Sequence, residues 1–506
     1  MTTSHFPTET SYILRHPSLS CRRRGSPNQK DDCSSLEPSE FRKVAYVPGG
    51  TFFAAFPVEL RVEVFRQFCG LYCPIDKVTE GPALLLQVCP AWRELAAQTP
   101  QLWTSFTLHW PMPSPNKTTF LLSAMKAWMK RSRNLPLSFK LHFPVPVDAA
   151  CLELMQCILL SFHRWRDVTL YAPTASLLPL WALEPNSSPC LRTLSLETFG
   201  PSPVVLRDLR INWTQVTELD LFLIPIPTLD ECLHILNEAV NLRRFSMNAA
   251  CVLSSEELET LSLPKLEYLQ LKLYRLAISD APHVPLLVFL HSLSLPSLQS
   301  LNISWNVTQT PQWSNASSSK FVEFLEELGG HLETLHLGYL PLDAQQILRC
   351  LGVVPALQCF SIALPRSDRE HDFIDNEFFD ALTFHAGSGP TLLPILRSIR
   401  LESHGEAFNN IALLRFIASR WRYQVSPSAG QLESFDFVSP KRRVEYRPQR
   451  FQDVREGRLE VSARLKSEFT MVQALACFLN RDSYGQTICF MNGDFPPDVR
   501  SLLVLD

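Results

Sequence analysis

The sequence has few glycines, 17 in 506 residues. Phosphate loops and dinucleotide fingerprints need glycine where the backbone closes on a phosphate, and no such string occurs; nor does a serine elbow or an H-E-x-x-H helix. No excess of either charge is present. The 47 basic and 50 acidic residues leave a formal charge of -3, without the global positive field that nucleic acid or an anionic membrane calls for. Long apolar runs are missing too, so neither a secretory signal nor a membrane span is expected. The chain therefore reads as a soluble protein of the cytoplasm and/or nucleus, with no nucleic-acid or membrane partner.

Cysteine is plentiful, with 14 residues, but nearly all sit inside apolar runs where a reduced thiol acts as a small hydrophobe. Cys69 and Cys73 are four apart, yet no second pair follows at zinc-ligand spacing. His331 and His336 flank a strand and share no metal geometry. The acidic stretch Asp372, Asp375, Glu377 and Asp380 interleaves with phenylalanines and reads as the polar side of a helix, since a calcium loop would need a glycine turn. No metal, no cofactor and no catalytic centre is expected.

Residues 1–50 are rich in Ser, Pro and charge, with a basic run at Arg22, Arg23 and Arg24, and read as a disordered tail. At Phe56 the texture changes. Pro57 suits a helix start, and Leu60, Val64, Phe65 and Phe68 mark an amphipathic helix. After a loop with Pro74, Gly81 and Pro82, Pro90 starts a helix with Trp92, Leu95 and Ala96 on one side, and Pro100 stops it.

From there an L-x-x-L-x-L string recurs. Its copies begin at Leu191, Val216, Leu242, Leu266, Leu298, Leu332, Leu357, Leu396 and Leu432, with a weaker first copy at Trp165. Successive copies start 24 to 39 residues apart, against roughly 20 to 29 for leucine-rich repeats, so the longer gaps hold insertions. Alternate strand residues share a face, so the last two apolar positions of each string look inward together. Pro189, Pro264, Pro296, Pro355 and Pro394 each stand two residues ahead of a string and end the preceding segment.

Helix-like stretches lie between strings. TLDECLHILNEAV has Thr228 or Asp230 as a cap and a stripe of Leu229, Leu233, Leu236 and Val240; SKFVEFLEELGG closes on two glycines. Most repeats lack the turn asparagine of leucine-rich repeats, Asn306 being the best-placed candidate. Two earlier helix and strand pairs, ending in PLSFKLHF and DVTLY, begin the array. The expected fold class is α/β: a short three-helix module over 51–110, an irregular leucine-rich-repeat-like solenoid with parallel strands over 111–490, and a C-terminal tail over 491–506.

The segment from Phe56 to Trp103 resembles an F-box: a Leu-Pro-x-Glu-like start in Phe56, Pro57 and Glu59, an Ile-Phe-like pair in Val64 and Phe65, then Val88, Cys89, Trp92, Arg93, Leu95 and Ala96, and finally Leu102 and Trp103. With the solenoid behind it, the chain is similar to the large family of fungal F-box proteins. Phe56 stands where leucine is usual, and the loop between Phe65 and Leu84 is long. The resemblance implies docking onto a Skp-type adaptor, and through it a cullin, by Phe56, Pro57, Leu60, Val64, Phe65, Leu84, Val88, Cys89, Trp92, Leu95, Leu102 and Trp103.

The chain would then be the substrate-recognition subunit of a ubiquitin ligase, or alternatively a non-ligase interaction scaffold. An unknown protein substrate would meet the solvent-facing strand positions on the concave side of the solenoid: Arg192, Arg243, Arg244, Tyr268, Lys272, Asn302, His336, Arg400 and Asp436. A basic segment, Lys441 to Lys466, reads as a solvated loop, with binding of an acidic or phosphorylated segment through its arginines as the alternative.

Overall fold

A computed structural model describes residues 53, 56–110, 115–143, 149–182, 188–200, 206–209, 211–255, 258–274, 283–306, 313–364, 372–384, 392–403, 405, 407–421, 432–438 and 443–446. The expected tails and most of the basic segment lie outside the described residues. The chain divides into two units, Met1–Pro57 and Val58–Asp506. In the first, the Phe53 and Phe56 rings meet edge-on at 6.4 Å and Phe56 N–H donates to the Phe53 carbonyl.

The second unit opens with helix α1 (Val58–Cys69), a two-residue strand β1 (Cys73–Pro74), α2 (Gly81–Val88) and α3 (Pro90–Gln98). A 3-10 turn, Pro100–Trp103, leads into β2 (Ser105–His109). Pro90 occupies the first turn of α3, where its missing N–H costs nothing.

The large sheet already begins inside the segment 51–110. The long loop after Phe65 supplies β1, which pairs in parallel with β2 through Cys73↔Phe106. Ile75 N–H donates to the Thr107 carbonyl, and Tyr72 N–H to Ser105 Oγ at 2.9 Å. Burial of Cys73 and Ile75 explains why this loop is ordered along the sheet edge.

The chain continues through α4 (Pro115–Ser132), β3 (Leu137–His142), α5 (Ala149–Leu159), β4 (Trp165–Pro173), α6 (Thr174–Leu177), β5 (Thr193–Phe199), β6 (Glu218–Phe222), α7 (Leu229–Glu238) and β7 (Arg244–Ala250). Then come β8 (Leu261–Ser262), β9 (Tyr268–Tyr274), α8 (His283–His291), β10 (Leu293–Ser294), β11 (Ser300–Asn306), α9 (Asn315–Leu328), β12 (Thr334–Gly338), α10 (Ala344–Gly352) and β13 (Cys359–Ala363). Last are α11 (Asn376–Leu382), β14 (Ser398–Glu402), α12 (Asn410–Trp421), β15 (Ser434–Val438) and β16 (Arg443–Tyr446).

Among the described residues this is an α/β fold with one large sheet, whose strand order follows the chain; only β8 and β10 stand apart, paired with each other. All neighbours are parallel except β15 and β16. That last pair corrects two expectations, an all-parallel array and a loop throughout 441–466. Four residues separate β15 from β16, enough for a hairpin and too few for a parallel crossover.

Register explains why the repeat survives unequal spacing. Leu194, Leu219, Phe245, Leu269, Leu301, Leu335, Phe360, Ile399 and Phe435 are successive Cα partners, and the residue two further on in each strand forms a second column. The first column extends back through Val168, Phe139 and Phe106 and the second through Leu170, Leu141 and Leu108, and no member is more than 2% exposed. The insertions fall in the connections, where length costs little.

The five spaced prolines all do one thing. Leu191, Leu266, Leu298, Leu357 and Leu396 donate their N–H to Ser188, Leu263, Leu295, Val354 and Leu393, closing β-turns with proline at the second position. Proline's fixed φ suits that position. Asn248 is a turn-stabilising asparagine: its side chain is buried, accepts from Leu223 N–H and donates to the Leu223 carbonyl, both at 2.8 Å; the side chain of Asn306 lies outside the described residues.

Helix α7 is capped by Thr228, with Glu231 closing a reciprocal capping box. Its buried stripe is Leu229, Cys232, Ile235 and Leu236, not the expected Leu233 and Val240; the helix ends at Glu238, and Val240 is exposed. Helix α9 starts earlier than expected, capped by Ser314. At its end Gly329 keeps a right-handed φ of -56°, so it serves space rather than a left-handed turn. A Cβ there would run into the Val353 carbonyl oxygen. Gly329→Ala is accordingly expected to cost about 1 to 3 kcal/mol, read as a lower urea midpoint; an unmoved midpoint would refute the close-packing role.

Candidate functional site

The helical segment separates its apolar residues into two sets. Phe65, Ala96, Leu102 and Trp103 are buried. The Phe65 ring lies 5.0 Å from that of Trp92. Trp103 donates from Nε1 to the Ala96 carbonyl at 2.8 Å, meets Trp128 of α4 edge-on at 4.8 Å and carries the Arg131 guanidinium over its ring. Phe65 and Trp103 thus hold the segment together, and Trp103 holds it to α4.

The other set faces outward. On α1, Leu60, Val64 and Phe68 are 53, 53 and 55% exposed, and spacing of four residues puts them on one side of the helix. Val58, Leu71 and, at the end of α2, Val88 are exposed as well. Leu84, Cys89, Trp92 and Leu95 are half-buried. Phe56 and Pro57 belong to the first unit.

The nine candidate strand positions do not form one set. Arg244 and Tyr268 are register partners, with the guanidinium 4.3 Å from the ring centroid. Asn302, His336, Arg400 and Asp436 share one row with Ser361, and Arg400 pairs with Asp436 at 3.5 Å. Burial, then the neighbouring Arg400 charge, pushes the His336 imidazole below its usual range, with Glu402 opposing. Lys272 lies two residues further along its strand, its ammonium over Tyr274.

Arg192 and Arg243 are elsewhere. Each follows the leading residue of its string directly, ahead of its strand, and lines the sheet edge instead of the sheet face.

Several residues of the polar face escaped the sequence reading. Asp220 is the central one: burial pushes its carboxyl above the ordinary range, while hydrogen bonds from Ser246 and Ser195 and the charge of Arg244 oppose the shift. Glu197 is raised too, by burial and then by Asp220, with Lys272 opposing. Their signal was the polar residue inside each L-x-L, a position that is solvent-facing by parity but partly covered by its row neighbours. A run of rings, His109, His142 and Tyr171, flanks them, the first pair tilted at a centroid distance of 5.3 Å and the second stacked at 4.4 Å.

The acidic stretch is accounted for by structure. Asp375 caps α11 through Phe378 N–H at 2.8 Å, Asp372 accepts from Gly405 N–H at 3.0 Å, and Asp380 pairs with Arg415. Among the described residues no group of three or more His, Cys, Asp or Glu side chains could hold a metal ion, and no helix is long and apolar enough to cross a membrane. No family model matches the chain, and no curated protein matches its sequence.

A raised carboxyl pKa means that the folded chain binds the Asp220 proton more tightly than the unfolded chain does. Its contribution is then full below the ordinary aspartate value of about 3.9 and is lost as pH rises through the raised one. Asp220→Asn should gain stability over the parent across that window and hold the gain above it. Urea midpoints measured over a pH series test this, and a pH-independent difference would contradict it.

Proposed function

We propose that this chain is the substrate receptor of a Skp/cullin/F-box ubiquitin ligase, its helical segment docking on a Skp-type adaptor and its repeat array, read as a leucine-rich-repeat-like solenoid, holding the protein to be modified. The observation that carries this is the outward apolar side of α1. Leu60, Val64 and Phe68 leave one helix face uncovered, while Phe65 and Trp103 anchor the segment from within. Contiguous exposed apolar surface on a protein commonly marks a contact with another chain. The F-box-like order of residues from Phe56 to Trp103 names the adaptor as that chain.

On this reading the protein performs no chemistry itself; it positions a substrate for an enzyme that the cullin brings. The docking residues are the exposed members of the sequence set, chiefly Leu60, Val64 and Val88, with Phe68 added. Leu84, Trp92 and Leu95 sit behind them as support.

Leu60→Glu with Val64→Glu places two charges on that face without touching the buried set. Retention of a Skp-type adaptor and of cullin in co-purification should fall by more than about tenfold, since each buried unpaired charge costs well over 1.4 kcal/mol. A matching change at exposed Leu160 should leave retention intact. Undiminished capture by the double variant would sink the adaptor assignment, and capture of adaptor without cullin by the parent would favour the scaffold alternative.

A further inference from the structure

Where the strands begin, the sheet edge carries a groove of about 870 Å3, floored by the turns that lead into β5, β6, β7 and β9. Its lining holds four cations, Arg166, Arg192, Arg243 and Lys265, and a single carboxylate, Asp167. Asp167 is already engaged: Arg166 Nε donates to it at 2.9 Å and Ser138 Oγ at 2.7 Å. Arg243 meets Glu267 at 3.1 Å, with both side chains largely in solvent, so that pair is weak and exchangeable.

Among the described residues the other two cations pair with no carboxylate. Lys265 donates to the neutral Asn241 Oδ1 at 2.7 Å. Arg192 makes no side-chain hydrogen bond or ion pair among the described residues, and Glu218 lies in the row of Arg244 on the sheet face. The basic character is local. A second groove of about 450 Å3 further along the same edge contains Glu333 and no lysine or arginine.

We propose that the first groove binds an acidic segment of a polypeptide, with Arg192 and Lys265 gripping its anionic side chains. Guanidinium forks and ammonium groups form their strongest hydrogen bonds with carboxylate and phosphate oxygens. Arg192 and Arg243 stand just ahead of strands two apart, about 10 Å at sheet spacing, which about three residues of extended peptide would span. Pro136, Pro189 and Leu191 add apolar lining to the groove. A nucleic acid is disfavoured because no lining residue is aromatic, leaving no ring for bases to stack on, and because the chain as a whole is slightly acidic. Within the ubiquitin-ligase reading the segment belongs to the substrate, an identification that rests on that reading; recognition of an acidic peptide does not.

Fluorescence anisotropy on the full chain tests the groove with labelled peptides of one design bearing glutamate, phosphoserine or lysine, and with a single-stranded RNA. The glutamate peptide, the phosphoserine peptide or both should bind, and their ranking tells carboxylate from phosphate recognition. Arg192→Glu with Lys265→Glu should weaken that binding at least about tenfold. Arg397→Glu, in the same edge row but paired with Glu433, should leave it unchanged. Both variants alter exposed side chains, and an unchanged urea midpoint verifies folding. Equal binding of the lysine peptide, tighter binding of the RNA, no binding of either acidic peptide, or an unaffected double variant would each overturn the proposal. Peptide binding that persists in Leu60→Glu/Val64→Glu separates failure of the groove from failure of the adaptor assignment.

Discussion

The carbonyl of Arg192 accepts from Thr217 and Glu218, that of Thr217 from Arg243 and Arg244, and that of Arg243 from Glu267 and Tyr268. The same doubled bond continues through Glu267, Gln299, Glu333, Gln358 and Arg397. From β6 to β15, each strand of the large sheet is thereby fixed at its first residue to the one before it. A one-residue slip anywhere would turn the inward apolar columns to the polar face, so this row of turn carbonyls constrains everything built on the sheet. Both grooves lie along it because the turns that deliver these carbonyls form their floors.

The helical segment depends on the sheet as well. A fifty-residue helical unit buries little by itself, and this one is completed by the sheet and by α4: β1 pairs with β2, and Trp103 packs on Trp128. Anchoring from within is what allows α1 to hold Leu60, Val64 and Phe68 in the open. Hydrophobic residues at helical spacing thus divide into anchors and surface, and a sequence pattern treats the two alike.

Buried polar groups finish connections where the repeats are irregular. Arg420 is buried and donates to the carbonyls of Leu382, Leu392 and Leu393, so burial lowers its pKa only to about 10 and it stays charged. Arg164 likewise ties Leu135 and Ser132 to the approach of β4. Such groups satisfy carbonyls that the ladder leaves over. Neither arginine stands out in the sequence, since a charged residue near a helix end reads as solvated until its neighbours are known.

The strings beginning at Leu191 to Leu432 determined nine strands, their inner faces and their parallel direction, because a period of two and a fixed apolar pattern are local properties of the chain. The prolines marked the turns for the same reason. Tertiary structure decided what depends on neighbours distant in sequence: that the loop after Phe65 joins the sheet, that β16 runs antiparallel, that Phe65 and Trp103 face in while Val64 and Phe68 face out. It also decided that Arg192 lies on an edge and not on a face. Parity along a strand predicts which side a residue takes only once the strand has begun, and where each strand begins is set by the turn carbonyl of the repeat before it.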